Sequence, residues 1–141
     1  IRYVDLGGRG GTNFAVIENA RRPQQDFAYM RDWGQTTAES LLEARGLPLT
    51  ILATGGVRSP LDVVKAQRLG AHAVGISGLV LHHLIQTGYT ATLAYFQAFL
   101  HQIRQLYALL GVTNWQALQT APALLGTELE HYRRARNLPA I

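Results

Sequence analysis

The chain has 141 residues, of which 48% are hydrophobic and 16% charged, a balance that predicts one globular domain and excludes a disordered segment. The absence of cysteine excludes disulfides, thiolate nucleophiles and cysteine-based zinc sites. The net charge of +4 is scattered and lacks the aromatic and basic motifs of nucleic-acid readers, so no nucleic-acid partner is expected. No apolar run reaches the ~18 residues of a membrane span. The expected location is the cytoplasm, without a membrane partner.

The first elements alternate between strand and helix signals. Residues 1–6 predict a buried strand that leads into a glycine-rich loop at residues 7–11. Residues 12–20 predict a short helix or an ordered loop, and residues 21–35 a polar excursion. Because the chain opens inside a strand-like run and without methionine, we expect it to be a piece of a longer protein.

A short helix and a second strand come next. Residues 36–45 predict a helix in which Thr36 and Glu39 form a capping box, and Gly46 ends it. The apolar run at residues 49–53 is short and bounded by proline and glycine, which is typical of a buried strand.

The following helix has the best start signal in the sequence. Ser59 is placed to cap it, Pro60 fits its first turn and Asp62 stands at the favourable third position. Residues 71–76 then predict a third buried strand. Continuous apolar strands that alternate with helices indicate an α/β fold with a parallel sheet.

The C-terminal third is predicted to be helical. Residues 90–110 carry apolar residues at intervals of three and four, which predicts a helix with one apolar stripe. Two short helices should follow, because Thr113 with Gln116 and Thr127 with Glu130 repeat the capping-box spacing. The members of the stripe are Leu93, Phe96, Leu100, Ile103, Tyr107 and Leu110.

Two loops follow successive predicted strands and expose backbone N–H groups. They are the Thr-Gly-Gly-Val-Arg run at residues 54–58 and the Gly-Ile-Ser-Gly run at residues 75–78. Backbone amides and a helix N-terminus satisfy phosphate oxygens, and Arg58 adds a charge-assisted donor. Such a pair is typical of strands 7 and 8 of a (β/α)8 barrel, which needs about 250 residues in all. The sequence therefore predicts a phosphate cup in a chain too short to close a barrel.

The glycine-rich loop at residues 7–11 predicts close approach to a ligand, because it has more glycines than a tight turn requires. Glu18 lies six residues past Thr12 and is the candidate general acid or base. Asp5 is more typical of a structural hydrogen-bond acceptor. The five histidines have no metal-ligand spacing, so no metal site is predicted in the chain.

Four segments together resemble one enzyme family. Residues 4–14, 33–41, 53–58 and 62–71 are similar, in order, to the type 2 isopentenyl-diphosphate isomerases. The resemblance covers essentially the whole chain, and the combination is more specific than the Gly-Gly-Val-Arg loop, which occurs in many flavin barrels.

The resemblance implies a (β/α)8 barrel that binds FMN and interconverts isopentenyl and dimethylallyl diphosphate. It also implies NADPH as reductant, Mg²⁺, acid–base use of reduced FMN, and a homo-oligomer of four or eight subunits. Gly7 stands where many members have a serine that touches FMN. The FMN contacts that the resemblance assigns to this sequence are Gly7, Thr12, Gly56, Val57, Arg58, Ser77 and Gly78.

The family's substrate-binding and magnesium-binding motifs are not found in this sequence. The resemblance therefore implies that residues 1–141 form the C-terminal part of a single FMN-binding domain, about strands 6 to 8 with the closing helices, and that the chain alone is inactive. Two alternatives remain open: an FMN-dependent 2-hydroxy-acid oxidase or dehydrogenase, and a non-catalytic phosphate-binding module that assembles through the long helix.

Overall fold

The structure is a computed structural model that describes all residues, 1–141. Three parallel strands form one sheet in the order β1-β2-β3. Strand β1 spans Tyr3–Leu6, β2 spans Thr50–Ala53, and β3 is reduced to Ala73–Val74. The predicted α/β class and the parallel sheet are confirmed. The third strand is shorter than predicted, because only Ala73 and Val74 of the predicted run pair with β2.

The chain has six α-helices, of which the second and third in chain order contact the strands. A single 3-10 turn, Ala28–Met30, lies in the predicted polar excursion. The alternation of strands and helices follows the predicted order. The α-helices are α1 (Phe14–Arg21), α2 (Thr37–Ala44), α3 (Pro60–Arg68), α4 (Gly78–Leu109), α5 (Trp115–Thr120) and α6 (Thr127–Ala135).

Capping residues explain where two of these helices begin. The Thr36 hydroxyl accepts from the Glu39 amide at 3.2 Å, and the Glu39 carboxylate accepts from the Thr36 amide at 2.6 Å. The reciprocal arrangement recurs at α3 between Ser59 and Asp62. The predicted Thr36–Glu39 capping box and the predicted Ser59 cap are confirmed. Each satisfies amides that would otherwise lack a partner at the helix start.

The two capping boxes predicted near the C-terminus are wrong. Helix α5 is capped by Asn114, whose side chain accepts from the Ala117 amide at 2.8 Å, so Thr113 lies outside the helix. Helix α6 is preceded by Gly126, and Thr127 is already its first helical residue. Spacing alone does not distinguish a cap from its neighbour, because asparagine competes for the same position.

The long helix starts earlier than predicted and is broken once. Helix α4 begins at Gly78 and carries a non-helical residue, Gly88, at φ 78° and ψ 176°. Glycine adopts this conformation without the steric cost of a Cβ atom. The part before Gly88 starts shortly after β3, and the part after it packs on α3 through Ile103, Leu106 and Tyr107. The chain thus changes direction within α4.

The buried face of the second part of α4 also differs from the predicted stripe. Phe99 is 3% exposed and Ile103 is half-buried, whereas Leu93 is 46% exposed and Leu100 60% exposed. An all-round apolar helix leaves the periodic pattern ambiguous, because several faces are apolar enough to be buried.

The core lies on one face of the sheet only. Ile51 and Ala53 of β2 point into it, against Leu41 and Leu42 of α2, and these four are at most 4% exposed. On the opposite face, Tyr3 is 68% exposed. Parallel sheets are normally covered on both faces, so this one is half covered. No helix combines the length and apolar character that a membrane span requires.

An ion-pair network at α6 makes the stability of the fold depend on pH. Glu130 accepts from Arg133 at 2.8 Å and from Arg134 at 2.6 Å, and these hydrogen bonds lower its carboxyl pKa from 4.5 to about 2. A carboxyl pKa that is lower in the folded state stabilises that state above the unfolded pKa.

We therefore expect Glu130→Gln to lower the urea unfolding midpoint at pH 7, with the difference from the parent protein constant down to about pH 4.5 and lost as the pH falls towards about 2. The matched control is Glu128→Gln on the same helix, because Glu128 has no ion pair. A Glu130→Gln difference that persists unchanged at pH 2 would contradict the assignment.

Candidate functional site

Three loops meet at the carboxyl ends of the strands and enclose a cavity of about 450 Å³, here named the glycine cup. Residues 10–12 follow β1, residues 55–58 follow β2, and residues 75–79 follow β3 and begin α4; His82 completes the wall. In parallel α/β sheets, ligands bind at this end of the strands. The three loops lie together because each follows one of three parallel strands, whose carboxyl ends share one edge of the sheet.

The cup is rich in backbone donors without partners. The amides of Gly56, Val57, Ile76 and Ser77 make no hydrogen bond in the structure. The first amides of α4 are also free, as at any helix start, and the helix dipole adds positive potential there. No aspartate or glutamate lines the cavity, whereas Arg58 and His82 do. The cup therefore favours an anion with several oxygen atoms.

The N-terminus of α3 does not contribute in the same way. The Asp62 carboxylate already accepts from the amides of Arg58 at 3.1 Å and Ser59 at 2.9 Å. Burial raises the pKa of Asp62, but these hydrogen bonds outweigh it and hold the pKa below its usual value. Arg58 consequently offers the cup its guanidinium, which has no ion pair and is exposed, rather than its amide.

The glycines hold the loops against each other as well as lining the cup. A Cβ on Gly55 would overlap the carbonyl oxygen of Gly7 and lie 2.9 Å from the Gly11 nitrogen, and Gly55 has φ +82°. A Cβ on Gly11 would lie 2.7 Å from the Gly55 Cα. The excess of glycine in the first loop thus has a packing reason in addition to the ligand contact that the sequence predicted.

Thr37 joins the two loops, a role that the sequence does not predict. Its Oγ1 lies 2.9 Å from the carbonyl oxygens of Gly7 and Gly55 and 3.2 Å from that of Thr54. Thr37 is the first residue of α2, directly after the capping threonine. A threonine beside a capping box has no distinctive sequence signal, so only the fold reveals it.

We expect Thr37→Val to destabilise the protein by about 1–2 kcal/mol, because the loop carbonyls lose their shared donor. Thr37→Ser keeps the hydroxyl and should retain most of the stability. The measurement is the urea unfolding midpoint of each variant. A loss in Thr37→Ser as large as that in Thr37→Val would contradict the role of the hydroxyl.

The structure brings most of the predicted site residues together. Gly7 lines a smaller adjoining cavity of about 310 Å³ that shares Thr12 and Ser77 with the cup. A Cβ on Gly7 would lie 3.5 Å from the Thr54 hydroxyl, so the backbone there also accommodates a serine. The predicted residues that line the cup itself are Thr12, Gly56, Val57, Arg58, Ser77 and Gly78.

The two candidate acids lie elsewhere. Glu18 is exposed on α1 and lines neither cavity, so the structure gives it no contact with the cup. Asp5 accepts from the Thr54 hydroxyl at 3.0 Å on the uncovered face of the sheet, which is the structural role that was expected. No cluster of acids, histidines or cysteines in the chain could hold a metal ion.

Comparison with known proteins identifies the family of the chain. Residues 33–124 match the FMN-dependent dehydrogenases, and the chain belongs to that family. The resemblance to isopentenyl-diphosphate isomerases is also confirmed: the chain is 79% identical over its full length to the isopentenyl-diphosphate delta-isomerase of Lacticaseibacillus paracasei. Over 98% of its length it is 53% identical to that of Latilactobacillus sakei and 41% identical to that of Staphylococcus epidermidis.

The chain is shorter than these relatives. It spans 41% of the Lacticaseibacillus protein and 40% of each of the other two. The names of the relatives therefore describe proteins more than twice as long as the chain.

Proposed function

We propose that the chain is the C-terminal, phosphate-binding part of an FMN-dependent isomerase that interconverts isopentenyl and dimethylallyl diphosphate. The observation that carries the proposal is the glycine cup, whose free amides and lack of carboxylates suit the FMN phosphate. The 79% identity to an isopentenyl-diphosphate delta-isomerase supports the choice of reaction.

In this proposal the role of the chain is to bind and orient FMN. The amides of Gly56, Val57 and the first turn of α4 hold the phosphate, and the Arg58 guanidinium balances its charge. Thr12 contacts the cofactor from the first loop. Reduced FMN, when bound, supplies acid–base chemistry for moving the double bond, with NADPH as reductant and Mg²⁺ on ligands outside this chain. Glu18 stays a predicted acid or base without a structural argument in its favour.

The uncovered face of the sheet supports a barrel that further strands complete. Tyr3 and Asp5 are exposed there, and β1 and β3 each have an unpaired edge. We propose that residues 1–141 supply about strands 6 to 8 and the closing helices of one domain, and that the chain alone is inactive. A cytoplasmic homo-oligomer of four or eight subunits is part of the same proposal.

The test is an isomerase assay by proton NMR on two proteins. One is residues 1–141 alone, and the other, called the intact protein, is the longer chain that this proposal implies. We expect the intact protein to interconvert the two diphosphates only with FMN and a reductant, without stoichiometric NADPH consumption, and the isolated chain to be inactive. Activity of the isolated chain would contradict the need for further strands. No activity in the intact, FMN-loaded protein would contradict the reaction.

The second candidate is an FMN-dependent oxidoreductase of 2-hydroxy acids. The match of residues 33–124 to the FMN-dependent dehydrogenases supports this candidate. The phosphate cup does not exclude it, because such a cup serves redox and isomerase chemistry alike. Stoichiometric oxidation of a 2-hydroxy acid, with bleaching of the flavin absorbance, would support this candidate over the isomerase.

A further inference from the structure

A second large cavity, of about 460 Å³, lies in the helical layer outside the glycine cup. Helix α3 forms one wall and residues 121–126, which join α5 to α6, form another. Twelve of its sixteen lining residues are hydrophobic, so its walls do not suit a hydrated ion. The volume falls within the range of about 300–1,000 Å³ that is usual for small-molecule sites.

The charged residues of this cavity are both cations. Lys65 and Arg68 line it, and no aspartate or glutamate does. The last residue, Ile141, also lines it but forms no ion pair with either cation. Arg68 is 9% exposed, and its Nε donates to the carbonyl oxygen of Ala121 at 2.7 Å. Its Nη1 is buried without any acceptor, and it forms no ion pair. Arg68, nine-tenths buried as a residue, therefore lines the cavity with most of its guanidinium donors unused.

A second arginine adds to this excess of positive charge. Arg45 also has a buried Nη1 without an acceptor. Burial, followed by the charge of Arg45, lowers the pKa of Arg68, although a guanidinium stays protonated at any physiological pH. A buried charge that cannot be neutralised by losing its proton requires a counter-ion.

We propose that this cavity binds a small amphiphilic carboxylate, with its head on Arg68 and its aliphatic body against the leucine-rich walls. The planar guanidinium fork matches a carboxylate, and a single buried fork suits one negative charge better than two. The apolar walls supply affinity only to a ligand with an aliphatic body, which excludes a bare inorganic anion.

The test is calorimetric titration of the intact protein with decanoate, 1-decanol and inorganic phosphate. We expect saturable 1:1 binding of decanoate, at least tenfold weaker binding of 1-decanol, and no displacement of decanoate by phosphate. Arg68→Met should weaken decanoate at least tenfold and leave 1-decanol unchanged. Absence of saturable decanoate binding, displacement by phosphate, or unchanged decanoate affinity in Arg68→Met would overturn the proposal.

A surface variant keeps the test valid if Arg68→Met does not fold. Leu124 lines the cavity and is 100% exposed, so Leu124→Glu places a negative charge beside it without disturbing the core. The control is Leu109→Glu, since Leu109 is 82% exposed and does not line the cavity. We expect decanoate affinity to fall at least fivefold in Leu124→Glu only. An equal response of both variants, or none in either, would count against the site.

Discussion

Gly55→Ala is expected to destabilise the protein by about 3 kcal/mol and to abolish measurable FMN binding. The new Cβ would overlap the Gly7 carbonyl oxygen and crowd the Gly11 nitrogen, so the two loops must separate. Overpacking of this kind costs about 1–3 kcal/mol, and the left-handed backbone adds about 1–2 kcal/mol for any residue other than glycine. The measurements are the urea unfolding midpoint and a flavin titration.

Gly46→Ala is the matched control for the conformational cost. Gly46 has φ +90°, close to the +82° of Gly55, but a Cβ there would meet nothing within 4 Å. It should therefore lose only about 1 kcal/mol and bind FMN normally. If the two variants lost the same stability, loop-to-loop crowding would not be the reason for glycine at position 55.

Ser77→Asp is expected to weaken FMN binding about 100-fold, or about 2.7 kcal/mol. Ser77 lies in the cup directly before the first turn of α4, where the free amides favour an anion. A carboxylate there would repel the phosphate and compete for the same donors. Two unit charges about 4 Å apart interact by about 4 kcal/mol near a protein surface, so screening leaves an effect of this size.

Ser77→Asn isolates the charge, because asparagine has the shape of aspartate without its ionisation. We expect its FMN affinity to stay within about threefold of that of the parent protein, or below about 0.7 kcal/mol. Both dissociation constants come from the same titration of flavin absorbance and fluorescence. An unchanged FMN affinity in Ser77→Asp would contradict the placement of the FMN phosphate in the cup.

Local signals were sufficient to predict the order of elements in the first half of the chain. The capping boxes at Thr36 and Ser59 depend on contacts within one helical turn, so they are encoded by adjacent residues. The short apolar runs between glycine and proline likewise identified β1 and β2. The loops of the cup followed, because the ends of parallel strands share one edge of the sheet.

Features that depend on distant contacts were not predictable. The loop-joining role of Thr37 requires two loops from separate parts of the chain, and the break at Gly88 requires knowing what each half of α4 packs against. The buried face of that helix was misassigned because Leu93 and Phe99 are equally hydrophobic candidates. Glu18 is close to Thr12 in sequence, but it is exposed on α1 and does not line the cup.

The contact between the loops at Gly11 and Gly55 makes the shape of the cup independent of the side chains at the loop tips. Main chain packs on main chain there, and the hydroxyl of Thr37, which lies on α2, joins carbonyl oxygens of both loops. Substitutions at the loop tips can therefore change the chemistry offered to a ligand while its anchor point stays fixed. One scaffold can therefore acquire different reactions with little loss of stability. A designer could introduce new reactive side chains at the loop tips and keep the same phosphate-binding loops.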